Sequence, residues 1–132
     1  MVKSKKTGKK TIKSCKIYGA LSVEGNESVI EVAKKLCYFQ ERRVFVVNKK
    51  GELLGIISLV DINDRVVAKG KDLKKTIAKD IMSYPINLVF DIKTPIEKVK
   101  KAMILKDNYY CPVVEKRKLV GLINYSCISG KK

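Results

Sequence analysis

The chain has no histidine and no tryptophan, only three prolines, and 13 acidic residues against 29 lysines and arginines. Each shortage excludes something. Without histidine, the commonest general base and metal ligand near neutral pH is missing. No clustered pair of carboxylates and no nucleophile beside a base replaces it, so the expectation is a protein that is not an enzyme. The four cysteines, Cys15, Cys37, Cys111 and Cys127, lack the short spacing of a zinc knuckle, which argues against a metal site. Their irregular spacing and the lack of a signal peptide argue against a disulfide framework. Cys37 and Cys111 fall within apolar patterns, where cysteine is expected as a small buried hydrophobe. The longest apolar runs are far too short to span a bilayer. The predicted protein is soluble and cytoplasmic, with no membrane partner.

What is present is charge, a core and a repeat. An apolar fraction of 45% over 132 residues suits one compact domain or two interlocked halves. The net charge of +16 favours an anionic partner. Residues 1–13 hold six lysines and no acid, and are predicted to form a flexible basic tail. Lysine richness with a single glutamine hints at a thermophilic source.

The repeat is visible by direct comparison of residues 28–62 with 94–128. Ser28, Ile30 and Glu31 match Thr94, Ile96 and Glu97 at an offset of 66, and Gly55 matches Gly121 at the same offset. Copy one reads as helix, strand, turn, strand, helix. Ser28-Val29-Ile30-Glu31 fits a capping box, and Val29, Val32, Ala33, Leu36 and Cys37 recur at helical spacing. Val44–Asn48 and Leu53–Ile57 flank turn chemistry at Lys49–Glu52. Ser58 then opens a helix with Ile62, Val66 and Val67 on one face, ending near Gly70. In copy two, Thr94 is predicted to cap a helix with Pro95 at its first position, striped by Val99, Ala102 and Met103. A hairpin follows around Glu115–Lys118, and the closing helix is stunted or absent. Lys71–Ile81 reads as a charged connector. Ser83–Val89 reads as a strand leading into copy two, with Lys16–Val23 in the matching place before copy one. The predicted division is a tail at 1–13, repeat one at 14–70, the connector at 71–81, and repeat two at 82–132. Each copy leaves one sheet face uncovered, which favours packing the two sheets face to face.

These residues carry a family resemblance. Gly51–Ile62 is similar to the signature of CBS domains, named after cystathionine β-synthase. Asp80-Ile81-Met82-Ser83 resembles the opening of their second copy, and Tyr110-Cys111-Pro112-Val113-Val114 resembles the strand before their hairpin. The resemblance covers about residues 14–129. It implies an α/β (α+β) fold, a pseudo-twofold pair of β-α-β-β-α repeats. It also implies a regulatory, ligand-sensing module, often a homodimer, with clefts for an adenosine-containing ligand such as AMP, ADP, ATP or S-adenosylmethionine. No cofactor is required.

By the same resemblance, Ser58 and Asp61 would hold the phosphate and ribose, with the carboxylate accepting from both ribose hydroxyls. Ser83, Ile86, Asn87 and Leu88 would face the base. Asn108, Tyr109 and Tyr110 would face the phosphates. The second cleft is degenerate: Asn124 and Cys127 replace serine and aspartate, and a thiol cannot accept a diol as a carboxylate does. Arg42 and Arg43 should line that cleft. A plainer reading stands beside this one, since Ser58-x-x-Asp61 is also an ordinary helix cap with an acid in the first turn. Tyr109 and Tyr110 could equally be core or interface aromatics, and Arg42-Arg43 a solvated helix end. Two alternatives to nucleotide sensing remain at this level. One is a basic adaptor for nucleic acid or an acidic partner, with weak nucleic-acid contact through the tail. The other is a purely structural dimerisation module.

Overall fold

The computed structural model describes residues 10–129. The chain divides into two compact units. One comprises residues 20–87. The other joins residues 10–19 to residues 88–129.

In the first unit, β1 (Ser22–Glu24), α1 (Val29–Phe39), β2 (Arg43–Val47) and β3 (Leu53–Ser58) form a β-α-β-β path. β1 pairs parallel with β2, and β2 antiparallel with β3. Val29, Val32 and Leu36 of α1 are buried against Val44 and Val46 of β2 and Ile57 of β3, because positions i, i+3 and i+7 share one helix face. Ser28 caps α1 through Glu31 N–H at 3.4 Å. The expected box closes only halfway, since the Glu31 carboxylate pairs with Lys34 at 3.3 Å. Gln40 ends α1 in the left-handed region. Cys37 is exposed, contrary to its predicted burial, because it lies one position beyond the buried stripe.

Ser58 opens α2 (Leu59–Ile62), which widens into one π turn over Asn63–Val67. The wider turn shifts the face, so Val66 is fully buried while Val67, predicted to share it, is 56% exposed. The segment read as a charged connector is part of this unit. Val29 N–H donates to Thr76 O and Ile30 N–H to Leu73 O, and Ala78 and Ile81 of the short α3 (Ala78–Ile81) are buried.

The second unit repeats the path with β4 (Phe90–Asp91), α4 (Ile96–Lys106), β5 (Tyr110–Glu115), β6 (Lys118–Asn124) and α5 (Tyr125–Ile128). β4 is parallel to β5, and β5 is antiparallel to β6. Pro95, not Thr94, is the N-cap of α4, without a side-chain cap bond. Its first N–H, of Ile96, donates instead to Lys10 O at 2.9 Å. That contact corrects the tail prediction for residues 10–13. Ile12 is fully buried in a short 3₁₀ turn, and Thr11 pairs with Pro95. Residues 1–9 of the predicted tail lie outside the described residues. The closing helix α5 is present as a single turn.

The segments ahead of the two repeats are exchanged. Ser83 exchanges both backbone hydrogen bonds with Ile56, at 3.0 and 2.8 Å, so it joins the sheet of residues 20–87. Tyr18 does the same with Leu122 in the other unit, at 2.8 Å each. The predicted strand Ser83–Val89 is reduced to that one bridge, followed by a cis Tyr84–Pro85 bond, and pairing resumes only at Phe90. Proline supplies no N–H to a ladder there. Residues 14–19 and 82–87 thus fold with the repeat that they do not precede. Among the described residues, no helix is long and apolar enough to cross a membrane.

Candidate functional site

The candidate site grows from the end of β3. Ser58 leaves the strand extended, at φ −107° and ψ 168°, and its Oγ accepts from Asp61 N–H at 3.2 Å. Asp61 Oδ2 accepts from Ser58 N–H at 2.9 Å, which closes a full capping box. The other oxygen, Oδ1, lies 3.5 Å from Ser83 Oγ, which donates to it, and 3.7 Å from Arg65 Nη2. The Asp61 side chain is only 14% exposed. Both readings of Ser58-x-x-Asp61 therefore meet in one carboxylate. It caps a helix, and it is held in a defined pose with one Oδ2 lone pair beyond the capping bond.

Arg65 was not singled out from the sequence. Its Nη1 donates to Ile81 O at 2.8 Å and Met82 O at 3.1 Å. It ties the segment before Ser83 to α2 and sits one helical turn after Asp61. The Asp-to-Arg i, i+4 spacing was the available signal.

Of the residues assigned to the base, Ser83 reaches Asp61. Ile86 is half-buried and Asn87 exposed, both in the unit 20–87. Leu88 begins the other unit, half-buried and packed against the core that includes Phe90 and Val99. Asn108, Tyr109 and Tyr110 also belong there. Asn108 N–H donates to Met103 O, closing the end of α4. Tyr109 packs edge-to-face on Tyr125, with centroids 5.7 Å apart, and its carbonyl accepts from Tyr125 N–H. A hydrogen bond to Asp107 raises the pKa of the Tyr109 phenol. Tyr110 is opposite Asn124 in the β5–β6 register.

The degenerate counterpart is built on the same plan with different chemistry. Asn124 caps α5 by accepting from Cys127 N–H at 3.0 Å. Cys127 Sγ lies 3.5 Å from the Tyr18 hydroxyl, so a thiol and a phenol stand where the other unit has Asp61 and Ser83. That contact pushes the Tyr18 pKa up. Arg42 and Arg43 are exposed, with Arg43 opposite Ser58 in the β2–β3 register and Arg42 O accepting from Leu59 N–H. All four cysteines are free, and burial pushes the Cys111 thiol up to about 11.

Two β-α-β-β-α units, each completed by the segment that precedes the other repeat, define a paired-repeat α+β module. The CBS domain model matches residues 17–68 and again 78–129. The chain belongs to the CBS domain family, as a tandem pair.

The uncharacterized protein MK0525 of Methanopyrus kandleri is 33% identical over 98 residues, which cover 74% of this chain and 50% of that protein. The CBS domain-containing protein CBSCBSPB2 of Arabidopsis thaliana is 24% identical over 89% of this chain and 22% of its own length. The chain thus spans half or less of these relatives. Among solved structures, Hypoxic Response Protein I with two coordinated zinc ions aligns at a TM-score of 0.72 and 19% identity, covering 92% of this chain and 98% of that one. A hexameric CBS-CP12 protein from bloom-forming cyanobacteria aligns at 0.63 and 22% identity, over 94% and 72%. At these identities the likeness is one of fold.

Proposed function

We propose that this chain is a non-enzymatic regulatory module that takes an adenosine-containing nucleotide at the Ser58–Asp61 helix start. Tandem CBS pairs are commonly regulatory, ligand-sensing modules, and the finer assignment rests on Asp61. Its carboxylate is held at 14% exposure by Ser58, Ser83 and Arg65. A sugar diol that donates to it meets an oriented acceptor rather than a mobile surface acid, and that preorganisation lowers the cost of binding. The matching position in the other repeat holds Cys127 against Tyr18, which supports one diol site per chain.

Thermal melting with AMP, ADP, ATP and S-adenosylmethionine tests the proposal. A ligand at a hundredfold excess over its Kd stabilises the native state by about 2.7 kcal/mol. For a chain of this length that is a rise in Tm of roughly 8 °C. Asp61→Ala loses its cap and melts lower by itself, so the quantity to compare is the ligand-induced shift. The expected result is a shift in the wild type and none in the variant. No shift with any of these compounds at millimolar concentration overturns the reading, as does an equal shift in both proteins.

A further inference from the structure

The two units differ sharply in charge. Residues 20–87 hold twelve lysines and arginines against nine acids, whereas residues 10–19 and 88–129 hold eleven against four. In the second unit the excess gathers at one end. β4 runs parallel to β5 with Asp91 opposite Val114, and Ile92 N–H donates to Val114 O at 2.8 Å. The next residue, Lys93, therefore stands beside the end of β5, where the hairpin turns. Glu115 pairs with Lys118, which leaves Lys116 and Arg117 as a two-residue turn. The 10–14 segment lies along the same loop, through Ile12 N–H to Thr94 O and Ile96 N–H to Lys10 O. Lys10, Lys13, Lys93, Lys116, Arg117 and Lys118 are all exposed. Three acids lie at this end: Asp91, whose Oδ1 accepts from Lys93 N–H, Glu97, which pairs with Lys100, and Glu115, opposite Lys118 in the β5–β6 register, so the six cations outnumber them two to one.

The turn is a second, independent observation. Lys116 and Arg117 have φ of 50° and 72°, the conformation that such turns usually give to Asn-Gly. The matching hairpin of the other repeat uses ordinary turn chemistry. There Gly51 takes the positive φ, and the Asn48 side chain accepts from Lys50 and Glu52 N–H. Two long cations are thus placed where backbone sterics disfavour them, and conformational strain of that kind gathers at functional sites.

We infer that this end of the unit is a docking surface for nucleic acid, held by its phosphate backbone. Duplex DNA carries one charge per about 1.7 Å of axis, whereas an extended acidic peptide carries at most one per about 3.3 Å, so a cluster of exposed cations is better matched by the former. The turn itself carries no aromatic or large aliphatic side chain to enter a bilayer. The six positions include no aromatic for base stacking, so recognition is of backbone rather than sequence. Residues 1–9, with four further lysines and no acid, lead directly into Lys10. The inference stands apart from the nucleotide proposal and uses none of its residues.

The test is fluorescence polarisation of a labelled 20-base-pair DNA duplex and a 20-nucleotide RNA with the full chain, from 50 to 300 mM salt. Binding is expected to fall steeply with salt. The double variant Lys116→Asn/Arg117→Gly gives the turn its preferred residues and removes two charges, and thermal melting checks that it is folded. It is expected to bind at least about tenfold more weakly at 100 mM salt, with a log–log salt slope shallower by about two. Unchanged binding in that variant overturns the inference. So does complete loss of binding on deleting residues 1–9 alone, or equal affinity for polyglutamate or phosphatidylserine vesicles.

Discussion

Gly55 and Gly121 show how a single residue links sequence to topology. A Cβ at Gly55 would lie 2.7 Å from both Met82 Sδ and Ser83 O, and one at Gly121 would press on Tyr18 O and the Ile17 side chain. Each glycine lets the segment ahead of the other repeat lie flat against its strand. Gly121 also has φ of 155°, which L side chains rarely adopt. The Gly121→Ala protein is expected to be about 2–4 kcal/mol less stable in urea denaturation, from overpacking together with backbone strain. Gly51→Ala is the comparison, because its φ is 83° but nothing lies within 4 Å of its Cβ, and a loss of about 1 kcal/mol is expected. Equal losses at the two sites would leave close approach without a role. The offset of 66 marked both glycines in the sequence. Their purpose was hidden, since the backbone each one admits lies far along the chain.

At the scale of elements, the legible parts were those with a periodic trace. Helical spacing located Val29, Val32 and Leu36, and β-branched runs located the hairpins, because each pattern is local. Exchange of the opening segments leaves no such trace: it depends on single bridges at Tyr18 and Ser83. Lysine-rich composition likewise concealed Ile12, one apolar residue in a charged stretch, which is fully buried in the core of residues 88–129. The candidate site divides in the same way. The Ser58–Asp61 cap was readable from its spacing, whereas the reach of Arg65 to Ile81 O and the approach of Ser83 to Asp61 needed the fold. Ile12 gives the measurable consequence. Ile12→Ala removes a filled core position and is expected to cost about 2–5 kcal/mol, read as a lower denaturation midpoint with unchanged m-value. A loss below about 0.5 kcal/mol would mean that this segment does not hold α4 in place.

At the scale of the whole molecule, the chain retains apolar surface that its own core does not cover. Tyr38 is 80% and Phe39 54% exposed at the end of α1, packed edge-to-face with centroids 4.9 Å apart. The same end of α1 borders a groove of about 350 Å³, lined mainly by apolar Ala33, Leu36, Leu59, Ile62 and Val67, together with Cys37, Glu41 and Asn63. Adjacent exposed aromatics beside an apolar groove are the composition of an interface centre. The homodimer expected from the sequence makes a second copy of the chain the occupant to test on this face. Burying a large aromatic removes about 150–250 Å² from water, and at about 25 cal/mol per Å² a symmetric pair of Tyr38–Phe39 edges supplies several kcal/mol. Light scattering on the 14.9 kDa chain is expected to give a mass near 30 kDa at about 50 μM. Tyr38→Glu/Phe39→Ser, placed on exposed positions, leaves the melting of the monomer fold intact and places a charge in the centre of the contact. That variant is expected to scatter as a single chain at the same concentration. A wild-type protein that stays monomeric there, or a variant that associates as strongly as the wild type, removes this face from consideration.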